Sequence, residues 1–339
     1  MLSAETPLTS IFRQQGADFI DVYGVQVPLR FKSAGDEYQS ARDATLICDG
    51  GHRAWIEVHG TDVCDFFQRT LSSDLNKLNV GECQLSAMLN GKGRWIAELI
   101  LHRFADDSNG WHLGIDLPMA CCEAFLQQLE LMHFGEDIKF EQQAVARIRI
   151  LGKQVEVAHQ GVFVTRPDTG VECHEIITNP DDGKAVLQQL VDNDHQLGGW
   201  VAQDILRVEG GFPIWGSDFN SDYTLPGTNE WRRASLTKGC YAGQEVVARI
   251  NTYGEAPQQL CQLHFKGKPE FMTGATLKNS NGEDVGHVSS WIFSPKLDKP
   301  LAFAYLKRNF ARDGTTLQAL LYDATASCEV VALEKYSAS

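Results

Sequence analysis

The 339-residue chain has no apolar run long enough to span a bilayer and no C-x-x-C pair, and it carries only 30 Lys and Arg against 44 Asp and Glu. The first absence sets aside a helical membrane protein. The second matters because nine cysteines are present, at positions 48, 64, 83, 121, 122, 173, 240, 261 and 328. Scattered in this way they supply no zinc or iron–sulfur ligand set by spacing alone. Their odd number argues against a closed disulfide framework, so reduced thiols are expected. The charge of -14 opposes generic binding to nucleic acid or anionic lipid, which needs a clustered basic footprint. Arg147 with Arg149 and Lys307 with Arg308 are the short basic candidates, and both read as solvated strand faces or turns. Residues Met1 to Pro7 lack the basic flank and apolar run of a targeting segment, so a cytoplasmic location is expected.

What is present is 43% apolar content in a length sufficient for two or three domains. One stretch concentrates chemistry: Lys238-Gly239-Cys240-Tyr241-Ala242-Gly243-Gln244-Glu245 sets a thiol between glycines, beside a cation, an aromatic ring, an amide and a carboxylate. Gly243 to Arg249 reads as the opening of a helix, with Glu245 in its first turn. A helix N-terminus and Lys238 would both favour the Cys240 thiolate. The alternative is that Cys240 is a small buried hydrophobe in a loop that needs glycine.

Along the chain, Thr9 or Ser10 is expected to cap a short helix through Gln15, and Val25 to Phe31 alternates as a strand that Pro28 places at an edge. Asp36 to Asp43 reads as a helix leading to a strand at Leu46 to Cys48, and Gly50-Gly51 as a crossing between domains. From Arg53 the texture tightens. A strand at Trp55 to Val58 precedes a helix that Thr61 would cap. Strands at Cys83 to Leu89 and Trp95 to Phe104 flank the turn from Asn90 to Gly93. A strand at Trp111 to Ile115 precedes a helix opened by Leu117-Pro118 with Asp116 as its cap, and a strand near Asp137 to Glu141 closes a split β-α-β unit. Strands at Ala146 to Ile150, Val162 to Thr165 and Val171 to Ile177 follow, then helices at Gly183 to Asp192 and Val201 to Glu209. Beyond the Cys240 stretch the sequence is all-β, from Leu260 to Leu333, with a tight turn at Asn281-Gly282.

The runs Leu206 to Pro213, Gly216 to Asp218, Leu225-Pro226 with Asn229, and above all K-G-C-Y-x-G-Q-E at 238–245, resemble the YgfZ family. That family comprises folate-binding relatives of the glycine-cleavage T protein, an aminomethyltransferase, and the resemblance extends over nearly the whole chain. It implies an α+β, three-domain aminomethyltransferase-like fold. Residues 1–52 and 142–255 would form a discontinuous folate-binding domain carrying the motif, 53–141 an inserted ferredoxin-like domain, and 256–339 a small C-terminal β-barrel. It also implies tetrahydrofolate, or a derivative, in a central channel near Asn90, Glu98, Asp116, Asp168, Arg207 and Gln244. Cys240, Lys238 and Glu245 would carry the chemistry. The implied role is an accessory one for iron–sulfur enzymes, including those that thiolate tRNA, with iron–sulfur assembly proteins or client enzymes as partners and no direct contact with nucleic acid or membrane. The alternative is folate-dependent aminomethyl or methyl transfer of the T-protein type.

One departure bears on that alternative. Where the T protein has an Asp-Asp pair, this chain has Ala97-Glu98, and strand alternation would turn Glu98 away from the place of the missing acid. The other residues have plainer readings too. Arg207 with Glu209 makes an internal ion pair, Asp116 a helix cap, Asp168 and Asn90 turn residues, and Gln244 with Glu245 helix-opening groups. Trp215, Trp231 and Tyr241 either stack on a pterin or pack a core.

Overall fold

A computed structural model describes residues 3–254, 256–267, 273–321, 325–331 and 333. The N-terminal part holds β1 (Ala4–Glu5), α1 (Thr9–Gln14), β2 (Asp18–Val22), β3 (Val25–Arg30), α2 (Ala34–Asp43) and β4 (Thr45–Asp49). The chain then crosses at Gly50-Gly51 into β5 (Arg53–Gly60), α3 (Val63–Thr70), β6 (Cys83–Leu89), β7 (Trp95–Arg103), β8 (Trp111–Pro118), α4 (Met119–Met132) and β9 (Lys139–Gln143). These five strands make one sheet, ordered β6-β7-β8-β5-β9. The chain returns through β10 (Ala146–Gly152), β11 (Val162–Thr165), β12 (Cys173–Thr178), α5 (Pro180–Asp192), β13 (Gln196–Leu197), α6 (Trp200–Glu209) and α7 (Gln244–Tyr253). Because β10 pairs antiparallel with β4, Ile148 opposite Asp49, the sheet β11-β12-β10-β4-β13 is sewn from both sides of the excursion. Gly50 permits this join: a Cβ there would lie 1.9 Å from Glu175 Oε1.

Strand alternation sorts the inserted sheet into two faces. Ala54, Ile56, Ala97, Leu99, Leu113, Ile115 and Leu117 turn to the core that α3 and α4 cover with Phe66, Phe67 and Phe125. Arg53, Trp55, Glu98 and Asp116 occupy the opposite positions and meet the returning chain, where Arg147 donates to the carbonyls of Arg53 and Ala54 at 3.1 Å. In the β4–β10 sheet, Ile148 and Ile150 pack under α1 and α5, while Leu151 faces α6. The last strands, β14 (Gln258–Phe265), β15 (Thr276–Lys278), β16 (Asp284–Ser294), β17 (Lys299–Lys307), β18 (Thr316–Leu320) and β19 (Thr325–Val331), close a six-stranded barrel. Helix α6 lies between sheet and barrel, with Ala202, Ile205 and Leu206 packed among Leu260, Leu301 and Phe303. No described helix is long and apolar enough to cross a membrane.

Several local expectations are corrected. Asp116 is not a helix cap: β8 runs on through Pro118, and α4 begins at Met119 with no side-chain cap. Thr61 does not cap α3 but donates to Asp137 at 2.9 Å, and α1 has Leu8 at its start, without a side-chain bond. Pro28 sits in the middle strand of β1-β3-β2. It is tolerated there because β1 pairs only with Val25 and Gln26, and the β2 side is shifted between Asp18 and Phe19. The Arg147–Arg149 strand face is not solvated; both residues are buried. The part of the expected last strand beyond Val331 falls largely outside the described residues.

Candidate functional site

A partly open cavity of about 50 Å³ lies where β10, α6, the crossing at His52-Arg53 and the 166–169 turn converge. Its wall is set by alternation: Arg149 and Leu151 project from the face of β10 opposite Ile148 and Ile150, and Gln203, Asp204 and Arg207 recur at helical spacing on α6. Tyr23, Trp200 and Ile214 add flat and apolar surface. Trp200 meets the His52 ring edge-on, with centroids 5.1 Å apart.

Beneath the cavity lies a buried charge network. Asp116, fully buried, accepts from Arg53, from Arg147 at 2.5 Å, and from Arg166. Glu175 accepts from Arg147 at 2.7 and 3.1 Å, and Arg166 reaches Asp168 at 3.0 Å. Burial alone would raise the Asp116 carboxyl, but Arg147, Arg166 and Arg53 together hold it well below the usual carboxylate range. Burial likewise works against the Asp168 carboxylate, and Arg166 and Arg53 outweigh it, leaving it lowered. Asp204 is raised, because burial there exceeds the help it gets from Arg207. Arg207 is held by Asp204 at 2.6 Å and Asp218 at 2.7 Å rather than by Glu209, which binds Tyr38 at 2.8 Å.

Not all of this polarity is spent internally. Arg149 donates through Nη1 to Gln203 at 2.9 Å, while its Nε and Nη2 lack hydrogen-bond partners, as do Arg166 Nε, Asp168 Oδ1 and His52 Nδ1. Burial, with Arg166 nearby, lowers the Arg149 guanidinium from its ordinary value. These buried donors and the acceptor are left for water or a polar ligand to satisfy, since each such group left alone costs about 1–3 kcal/mol.

Of the residues singled out from sequence, Asp168 and Arg207 line the cavity, and Asp116 and Glu98 lie behind it. Glu98 accepts from Arg53 at 3.0 Å and from the Trp215 N–H at 3.3 Å, with Arg233 at 3.5 Å. As strand alternation requires, the two neighbours take opposite faces: Ala97 turns into the helix-covered core, and Glu98 takes the face toward Arg53 and the cavity. Asn90 and Gln244 are not at the cavity. Asn90 accepts from the Lys92 and Arg94 N–H groups at 2.9 and 3.2 Å as a turn residue, and Gln244 donates to the Lys238 carbonyl at 3.2 Å. The turn and the motif are neighbours, for Gly243 (φ 80°) runs so close that a Cβ would sit 2.6 Å from the Asn90 carbonyl. Trp215, Trp231 and Tyr241 are packed into the large core instead of the cavity wall.

The motif splits in two. Lys238 is buried, and its ammonium spends all three protons on the carbonyls of Gln68, Leu71 and Ser73 at 2.5–2.7 Å, which ties down the C-terminal end of α3. Burial pulls this ammonium down to about 8. Lys238 is therefore a structural fastening and not a partner that activates the thiol. Cys240 and Glu245 are exposed, and Cys240 is alone in this among the nine cysteines. Sequence reading missed Tyr23, His52, Arg53, Arg149, Arg166, Trp200 and Asp204 as cavity residues, and the alternation of Arg149 with strand apolars reads the same as a solvated face.

Two buried histidines predict acid sensitivity. His102 is lowered to about 4 by burial, with Arg166 and Arg147 adding to it against Asp116, and His52 is pushed well down by burial and four arginines. Their folded values lie below the unfolded one, so their neutral forms stabilise the fold above about pH 6.5 and that contribution is lost as pH falls toward 4. Asp49, raised to about 6 by burial, and Asp204, also raised by burial, work the other way and offset part of this loss. The melting temperature is expected to fall between pH 6.5 and 4, and His102→Gln to flatten that slope; an unchanged slope would remove His102 as the cause.

Residues 8–113 match the family described as GCVT N-terminal domain, and residues 258–336 match the Glycine cleavage T-protein C-terminal barrel domain. The chain is 27% identical over 368 residues to an aminomethyltransferase of Saccharopolyspora erythraea, covering 98% of each chain. It is 25% identical over 336 residues to that of Thermus thermophilus, covering 89% of this chain and 91% of the relative. The solved glycine cleavage system aminomethyltransferase T from Bartonella henselae superposes with a TM-score of 0.89 at 22% identity, covering 98% of both chains.

Proposed function

We propose, from the premise that this chain is T-protein-like in both matched domains and in fold, that the central cavity binds a reduced folate. The observation that carries the reading is the unsatisfied set on the cavity wall: donors on Arg149 and Arg166, an acceptor on Asp168. A pterin presents an amide-like edge of acceptors and donors on a flat ring, which suits guanidinium and carboxylate groups beside Tyr23, Trp200 and Ile214. Tetrahydrofolate is the substrate of the T-protein aminomethyltransferases, and the acidic -14 chain favours no nucleic-acid role of its own.

Two uses of the bound folate follow. The names of the relatives weigh toward aminomethyl or methyl transfer. In that case Glu98 is the carboxylate on the cavity side, although its two oxygens are engaged by Arg53, Arg233 and the Trp215 N–H, which weakens it as a proton acceptor. The exposure of Cys240 in K-G-C-Y-x-G-Q-E weighs toward the other use, a YgfZ-type accessory role for iron–sulfur enzymes in which the thiol meets a partner.

Anaerobic titration calorimetry with tetrahydrofolate tests the common premise. Wild type is expected to bind in the micromolar range, about -8 kcal/mol, and Cys240→Ala to bind equally, since the thiol lies off the cavity wall. No binding by either protein overturns the folate reading. Methylene-tetrahydrofolate formation from an aminomethyl donor, abolished in Glu98→Ala, selects transfer. Absence of turnover, with failure of Cys240→Ala to restore iron–sulfur enzyme activity in a deletion strain, selects the accessory role.

A further inference from the structure

At the far end of β5 from the cavity, Glu57, His59 and His112 bring one ligand atom each to within 4.8 Å of one another. The sheet register creates the group: Glu57 and His59 lie two apart on one face of β5, and His59 stands directly opposite His112 on β8. The two imidazoles lie nearly parallel, with centroids 4.2 Å apart and planes 21° off. A pair of stacked histidines gains little from each other as bases, because either proton opposes the other; the burial that lowers His112 is reinforced by His59.

The hydrogen bonds aim the nitrogens. His59 Nδ1 is 3.0 Å from Asp107 Oδ2, a carboxylate that accepts the Nδ1–H hydrogen bond and so favours the tautomer whose Nε2 lone pair is free, 3.9 Å from Glu57 Oε2. His112 Nε2 is buried with no hydrogen-bond partner. A histidine anchored by a carboxylate through one nitrogen, its other nitrogen meeting a second imidazole and a carboxylate, is the donor arrangement of zinc-type sites. We infer that Glu57, His59 and His112 bind a borderline divalent cation of the zinc type, with Asp107 as the positioning residue. Two nitrogens and a carboxylate leave a fourth position for water or an external ligand. Imidazole donors favour zinc, nickel or copper over magnesium or calcium. Arg53, the nearest cavity residue on this strand, is four residues from Glu57, roughly 13 Å along β5, so the site stands apart from the folate reading.

Equilibrium dialysis of the full chain against Zn2+, in a Cys240→Ser background that removes the exposed thiol, tests this. One equivalent is expected to bind at micromolar concentration. Affinity should fall at least tenfold in His59→Ala, His112→Ala and Glu57→Gln, and about tenfold in Asp107→Asn. Mg2+ in hundredfold excess should not compete. Glu57 is part-exposed and its glutamine variant should fold, so the test survives a histidine variant that does not. No bound Zn2+ at 100-fold excess over protein, or binding unchanged in Glu57→Gln and His112→Ala, overturns the site, and displacement by Mg2+ overturns its zinc-type character.

Discussion

Asp116→Ala is expected to lower stability by about 3–5 kcal/mol, read as a shift of the urea midpoint at pH 7. Asp116 receives three guanidiniums in a space sealed from water. In the native network Arg53, Arg147, Arg149 and Arg166 face Glu98, Asp116, Asp168 and Glu175, four charges against four. Removing one acid leaves a buried positive charge with no counterpart, and in low dielectric that costs more than the pair contributes when intact. Arg53 and Arg166 also line the cavity, so the same change should weaken folate binding. The pH signature follows from the lowered carboxyl: its contribution is present above the ordinary carboxylate value near 3.8 and is lost as pH falls below it. Asp116→Asn, which keeps the shape without the charge, should fall between. A loss under 1 kcal/mol for the alanine variant would mean that the arginines find water or other acids, and that the network does not hold the two sheets together.

Much of the fold was legible because period and punctuation agree. The all-β segment expected from Leu260 onward forms the closed barrel, and Leu301 to Leu306 is apolar throughout because both its faces are covered, Leu301, Phe303 and Tyr305 by the α6 side and Ala302, Ala304 and Leu306 by the barrel core. The inserted sheet was visible from Trp55 to Val58, Cys83 to Leu89 and Trp111 to Ile115, each apolar on one face toward α3 and α4. The aminomethyltransferase-like architecture implied by the motifs is the one found. Misreadings occurred where a local signal has two causes. Asp116 before Leu117-Pro118 has the form of a helix cap, but three arginines from distant segments hold it in a strand. Thr61 before α3 likewise looked like a cap and serves Asp137 instead.

The site was less legible because it is made of long-range pairs. Asp168 and Arg207 were placed at the cavity through family resemblance, yet nothing near them announces Arg149 or His52. Arg147 and Arg149 alternate with Ile148 and Ile150, a pattern identical to a solvated strand face. The distinguishing fact lies elsewhere in the chain: buried acids at alternating positions of other strands, Asp116 in β8 and Glu175 in β12, wait for them. Lys238 shows the converse. Its closeness to Cys240 in sequence invited a role in activating the thiol, whereas its side chain points back to α3 and is saturated by carbonyls 165 to 170 residues away. Closeness in sequence set the motif's backbone, and distant partners set what its side chains do.

Arg149→Met separates binding from stability. Arg149 lines the cavity with two donors outside any hydrogen bond, Nη2 and Nε, the latter 3.5 Å from Glu175 Oε1. If these donors meet an oxygen of the folate, their loss should weaken tetrahydrofolate binding by about 1.5–3 kcal/mol, roughly 10- to 100-fold in Kd. Stability should change far less than in Asp116→Ala. The guanidinium is lowered by burial, which marks it as a charge the fold holds at a cost, and Glu175 keeps Arg147 and Arg166 when Arg149 goes. Methionine fills a similar volume without the desolvation. Arg207→Met provides the contrast, because it strips Asp204 and Asp218 of their shared partner and should reduce both binding and stability. Wild-type affinity in Arg149→Met, with Arg207→Met also binding, would mean that the unsatisfied donors do not face the ligand and that the folate sits elsewhere in the fold. Selective loss in Arg149→Met alone would place the ligand against β10, on the wall that the Arg149 to Leu151 alternation builds.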